Sequence, residues 1–164
     1  MQRFKITIIN LICSLLFTGI TYSTIIERMD NNKLIKKADK IIIGEVQNIE
    51  CEWDNDYNMI HTYVTINVLK WIKGEGNSTI QLLFPGGEVE NKIINVDLTP
   101  SFELHQKAIL FLEPEIKNTY RVLGWLQGKF TIIEKTNTIL ENNQNVDAFL
   151  NMIKSKLNAN KTKG

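Results

Sequence analysis

The chain has little cysteine, histidine or proline, and no excess of either charge. Among 164 residues there are two cysteines, two histidines and three prolines. A disulfide framework needs paired cysteines. Here Cys13 falls in an apolar leader, and Cys51 is left alone once that leader is removed. With Glu50 and Glu52 beside it, Cys51 reads as a half-buried small hydrophobe, since a reactive thiol needs a positive neighbourhood. Lys+Arg is 19 against Asp+Glu 18, a net charge of +1. That balance argues against nucleic acid as a partner, because such binders carry a basic excess on one face. The group Lys33, Lys36, Lys37 and Lys40 is mixed with Asp39 and reads as a solvated helix face.

Catalytic signatures are missing as well. No H-E-x-x-H, G-x-S-x-G, G-x-G-x-x-G or P-loop occurs. Ser101 and His105 are four apart, without an evident acid partner or oxyanion loop. His61 and His105 lie in different patterns, a strand and an irregular segment, which does not suit a shared metal site. No enzyme activity and no cofactor are expected.

What is present begins at the N-terminus. Arg3 and Lys5 precede a mostly apolar run from Ile6 to Tyr22, the layout of a secretory signal peptide. Thr7, Asn10, Ser14 and Thr18 weaken the run below the roughly 20 apolar residues of a spanning helix. Small residues at Thr21 and Ser23 fit cleavage after Ser23, with retention of the run as an uncleaved anchor as the alternative. Residues 1–23 are therefore expected to be removed, leaving about 140 residues for a domain outside the cytoplasm, in the periplasm or at the cell surface. No second long apolar run follows, so no membrane span is expected after cleavage. An exported domain without disulfides favours a bacterial protein stabilised by its core.

Asp30 caps a short helix through Lys37, with Leu34 and Ile35 inward. Strands are expected at Lys40–Glu52, His61–Ile72 and Thr79–Phe84, then at Ala108–Leu112, Tyr120–Leu123 and Phe130–Ile133. Glu88 to Gln106 reads as irregular, with one short strand at Lys92–Val96. Val146, Phe149, Leu150, Ile153 and Leu157 recur at helical spacing behind an Asn145 cap, with a frayed tail from Asn158. This pattern predicts a mainly all-β fold, a small antiparallel OB-type Greek-key barrel. Residues 24–140 form the barrel, and residues 141–164 form an amphipathic C-terminal helix and tail.

Several ordered segments carry a resemblance. Ala38-Asp39-x-Ile41-Ile42-x-Gly44-x-Val46 opens the first strand. Trp53-Asp54 and Tyr63-Val64-Thr65 with Lys70-x-x-Lys73-Gly74 frame the second. Pro85-Gly86-Gly87-Glu88-Val89 ends the third. Leu110-Phe111-Leu112-Glu113 and Val122-x-Gly124-x-x-Gln127-Gly128-Lys129-Phe130 close the set. From Ala38 to Ile133 the chain resembles a small exported bacterial domain of uncharacterised function, sometimes found beside matrixin-like metalloproteases. The first half also resembles the netrin-like OB-fold domain of tissue metalloproteinase inhibitors. Those inhibitors chelate the protease zinc through an N-terminal cysteine, which this chain does not have near its mature start. The resemblance carries the fold and leaves out that mechanism. The chain also departs from the bacterial pattern after Gly87, where Asn91, Lys92, Ile93 and Ile94 replace a loop with more glycines and a proline.

The candidate binding residues follow from two glycine-marked loops. They are Pro85, Gly86, Gly87 and Glu88 in one, and Trp125, Gln127 and Gly128 in the other. Gly86 and Gly87 also fit a barrel corner that only glycine can turn. Trp53, Trp71 and Trp125 suit core or hairpin positions, or an aromatic glycan- or peptide-binding face. Asp54-x-Asp56-x-Asn58 imitates the start of a calcium loop, but Met59 and Thr65 stand where glycine and a bidentate acid are required. A solvated hairpin turn explains the same residues. The expectation is an exported, non-enzymatic protein-binding module, with a secreted or surface protease as one class of partner. The alternatives are a glycan- or calcium-linked surface module and a small enzyme of unrecognised class.

Overall fold

Ile41-Ile42-Ile43 does not alternate with polar residues, because both faces of its strand are covered. A computed structural model describes residues 27–161. The expected leader, residues 1–23, lies outside them. Helix α1 (Asn31–Lys37) leads into β1 (Lys40–Asp54), which pairs antiparallel with β2 (Met59–Lys73). Next come β3 (Thr79–Pro85), the small hairpin β4 (Gly87–Val89) and β5 (Lys92–Ile94), and β6 (Lys107–Pro114). The chain closes with β7 (Tyr120–Val122), β8 (Lys129–Ile133), β9 (Thr138–Ile139) and helix α2 (Val146–Lys161).

Five strands form a ring. Its order is β1-β2-β3-β7-β6, and β6 pairs back on β1 to close it. The β3–β7 contact is parallel and the others are antiparallel. This is the expected mainly-β, OB-type Greek-key barrel. Among the described residues no helix is long and apolar enough to cross a membrane.

Two cores share the sheet. Ile42, Val46, Val64, Ile66, Leu82, Leu110 and Leu112 point into the barrel. Ile41, Ile109, Phe111 and Phe130 face outward, where Leu34 and Ile35 of α1 and Phe149 and Ile153 of α2 cover them. Strand parity assigns neighbouring residues to opposite cores. The helix ends are satisfied locally. Asp30 Oδ1 accepts from Lys33 N at 2.8 Å, and Asn145 Oδ1 accepts from Ala148 N at 3.1 Å. Lys73, at the end of β2, donates to the carbonyls of Ile35, Lys36 and Ala38, which close the C-terminal end of α1.

Some elements differ from expectation. The irregular stretch after Pro85 contains the β4–β5 hairpin, and β5 stops at Ile94. β9 was not expected, and α2 runs through Lys161 where fraying from Asn158 was expected. The fifth barrel strand is split. Six residues, Leu123–Gly128, stand opposite the single residue Phe111, and β7 and β8 pair with β6 on either side of that break.

If α2 is part of the core, Phe149→Ala lowers stability by about 3–5 kcal/mol in urea unfolding, because its ring is fully buried 4.7 Å from Phe130. Lys154→Ala, on the exposed face of the same helix, shifts it by less than about 0.5 kcal/mol. Equal effects would rule out a docked helix.

Candidate binding site at the Pro85 corner

β3 ends on Pro85, and the next two residues adopt backbone angles suited to glycine. Gly86 has φ +91° and Gly87 φ +131°. A Cβ on Gly86 would lie 2.6 Å from the Ile94 carbonyl oxygen. One on Gly87 would lie 2.6 Å from Thr62 Oγ1 and 2.7 Å from Cys51 Sγ. Gly86 N donates to Ile60 O at 2.7 Å, and Thr62 Oγ1 donates to Gly86 O at 2.7 Å. Both glycines therefore build the corner. Glu88 is exposed beyond them, on β4 opposite Ile93.

After β5 the chain crosses the barrel mouth as a strap, residues 95–106. Phe102 packs on Phe84 with ring centroids 5.4 Å apart. Lys129 Nζ donates to Ser101 O at 2.6 Å and lies 4.8 Å over the Phe102 ring. His105 N donates to Val46 O at 2.9 Å. Burial pushes the Lys129 ammonium below the usual lysine range, and Glu141 and Glu103 oppose the shift only in part. Between strap and barrel lies a cavity of about 340 Å³. Pro85, Gly86 and Gly87 form one wall; Ile94–Val96 and Thr99–Phe102 form the other.

A second cavity, of about 200 Å³, opens on the other side of Pro85. Trp125 and His61 line it, with Leu83, Phe84, Ile116 and Val122. Trp125 reaches it from the Leu123–Gly128 break with φ +60°, a conformation a bulky residue rarely adopts. Across the cavity, Lys117 and Asn118 are also left-handed, at φ +55° and +58°. Arg121 on the rim is paired with Glu113 at 2.9 Å and Glu115 at 3.4 Å.

His61 sits behind this cavity with a carboxylate at its back. Its Nδ1 is 3.3 Å from Asp54 Oδ2, but the atoms are misaligned for a hydrogen bond and Nδ1 has no hydrogen-bond partner. Lys117 Nζ bonds the same Oδ2 at 2.9 Å and holds the Asp54 carboxyl below its usual range. Asp54 Oδ1 accepts from Asp56 N at 3.0 Å and Tyr57 N at 3.4 Å. Asp54, Asp56 and Asn58 thus form the hairpin turn, with Asn58 at φ +50°. Among the described residues no three His, Cys, Asp or Glu side chains gather as metal ligands.

The two expected loops meet through Pro85 and Trp125. Gln127 and Gly128 do something else. Gln127 Oε1 accepts from Met29 N at 2.7 Å, and its Nε2 donates to Glu27 O at 3.1 Å, which ties the N-terminal segment to the break. Gly128 is buried, and a Cβ there would collide with the Leu123 carbonyl oxygen. The other tryptophans are covered by cations. Lys92 Nζ lies 4.4 Å over Trp53, and Lys40 Nζ lies 5.2 Å over Trp71. His105 stands apart, exposed beside Glu45. Sequence reasoning missed His61, Ile116 and Arg121 as wall residues. The His61–Pro85 register across β2 and β3 brings the first of them in.

Two outcomes check this account. Gly87→Val costs about 1–3 kcal/mol of stability in chemical denaturation, because the backbone angle and the Thr62–Cys51 wall both oppose a side chain; an unchanged midpoint would contradict the corner geometry. Lys129 gives a pH signature. Its folded pKa is lowered, so as pH rises toward 10.5 the unfolded chain holds the extra proton and stability rises. The native chain should gain on Lys129→Met over that alkaline window and show no such drift near neutrality. Parallel stability curves would show that Lys129 is not held in a desolvated site.

Compared with known proteins, the chain matches no family model and no curated sequence, so its function has to come from the geometry of the site.

Proposed function

We propose that this chain is a non-catalytic binding module that engages a protein partner at the Pro85 corner. One observation carries the reading: Pro85 lines both cavities, about 340 and about 200 Å³, on a corner fixed by Gly86 and Gly87. Concave, mostly apolar surface with a few polar groups is the usual form of a recognition site. The leader-like sequence of residues 1–23 makes the partner an exported or surface protein. The resemblance over Ala38–Ile133 adds a secreted protease as the class to test first. Lys92 and Lys40 already cover the faces of Trp53 and Trp71, which disfavours stacking of sugars on those rings.

The test is capture from the source cell's exported fraction with the chain from Thr24 onward. A single stoichiometric partner is expected. Asn95→Trp, at an exposed position on the mouth cavity, should abolish capture while leaving the melting temperature unchanged. No partner, or a partner retained by the filled variant, would overturn the reading.

A further inference from the structure

We infer that the cavity between β3 and the Leu123–Gly128 break is an anchor pocket for one neutral aromatic side chain carrying a hydrogen-bond donor, with tyrosine as the residue it fits. This deepens the binding-module reading and rests on it for the statement that the tyrosine belongs to a protein.

Size and shape set the first limit. A cavity of about 200 Å³ holds one large side chain. Its walls offer flat or apolar surface from Trp125, Phe84, Pro85 and Ile116. Aromatic rings pack well against such walls, through stacked or edge contacts.

Charge sets the second limit. Arg121, the one cation lining the pocket, is already paired with Glu113 and Glu115. Glu115 is also engaged by its own turn, accepting from Ile116 N at 3.2 Å. One guanidinium stands against two carboxylates, so the rim keeps a net negative charge that disfavours an added carboxylate or phosphate, and the mostly apolar walls disfavour a desolvated ammonium. The pocket therefore suits a neutral group.

His61 sets the third limit. It is nine-tenths buried and lines the cavity. Asp54 Oδ2, 3.3 Å from Nδ1, favours hydrogen on that nitrogen, since a bare lone pair facing a carboxylate is repelled. Nε2 is then the acceptor nitrogen of the ring, and no hydrogen bond to it occurs among the described residues. Lys117 Nζ bonds the same Asp54 Oδ2, so the carboxylate facing the histidine is held before anything binds. A phenol supplies an apolar ring for the walls and one O–H for Nε2. Phenylalanine supplies only the ring.

Titration of the isotopically labelled chain with N-acetyl-tyrosinamide, followed by NMR, tests this. Binding in the millimolar range should shift the Trp125 indole and Leu83 amide signals. N-acetyl-phenylalaninamide should bind about three- to tenfold more weakly, the worth of one net hydrogen bond. His61→Phe, which keeps a ring and removes the acceptor, should abolish that preference. Trp125→Ala should weaken both probes at least about tenfold. Ile116→Ala, at an exposed position that folding does not need, should weaken both by a smaller factor. No shift at Trp125 with tens of millimolar probe, or shifts centred on the mouth cavity, would overturn the pocket. Equal affinity for the two probes would overturn the donor assignment. The probe needs no partner protein, so a chain that binds it but captures nothing from the exported fraction keeps the pocket and loses the protein-binding reading.

Discussion

Strand β6 is the member on which both halves of the molecule depend. Ala108 to Leu112 are five consecutive apolar residues, all essentially buried. Ala108, Leu110 and Leu112 fill the barrel, while Ile109 and Phe111 lie under the helices. Neither face of the strand meets water, so the run has no polar alternation. One edge of β6 pairs with β1 and closes the barrel. The other edge serves two partners in turn, β7 and then β8. A polar residue anywhere in this run would disturb packing on one face and pairing on both edges.

The sharing of that second edge also produces the site. β7 and β8 cannot continue as one strand along β6, so Leu123–Gly128 leaves the sheet opposite Phe111. The detour is pinned at its C-terminal end. Gly128 packs where a Cβ would strike the Leu123 carbonyl, and Gln127 is bonded to the backbone of Glu27 and Met29. Trp125, two residues before Gln127, is carried to the wall that Pro85 forms at the end of β3. The parallel contact between β3 and β7 is limited to Leu82 opposite Tyr120. Beyond it the two strands are not paired, and the cavity lies there.

Much of the fold could be read from local pattern, because local rules decide it. Asp30 and Asn145 cap their helices, and Leu34, Ile35, Phe149 and Ile153 lie inward at the positions their spacing requires. β4 escaped notice because Gly87-Glu88-Val89 is short, starts with glycine and is held by its hairpin partner rather than by burial. β9 is two residues long, and no pattern rule reaches that scale. The site was half legible. Glycine marked both loops, but the residue type could not separate Trp125, which faces the cavity, from Gln127, which ties the chain down. Ile116 and Lys117 sit in a polar stretch, and the left-handed backbone at Lys117 has no signal in a lysine. His61 enters through a long-range register that only the folded sheet sets.

This division of labour explains how small cavities can serve recognition. Binding loses affinity to every side chain and loop that must be ordered when the partner arrives. Here the loops around the cavities are already held by their own contacts. Gly86 and Gly87 lock the corner, Lys129 holds the strap at Ser101, and Gln127 holds the break that carries Trp125. The left-handed backbones at Trp125, Lys117 and Asn118 persist because the contacts around them over-determine their positions. Residues that shape the corner and residues that line the cavities with exposed or half-exposed side chains are therefore different residues. Replacing the glycines reports on folding. Replacing Trp125, Ile116 or Asn95 reports on the proposed recognition.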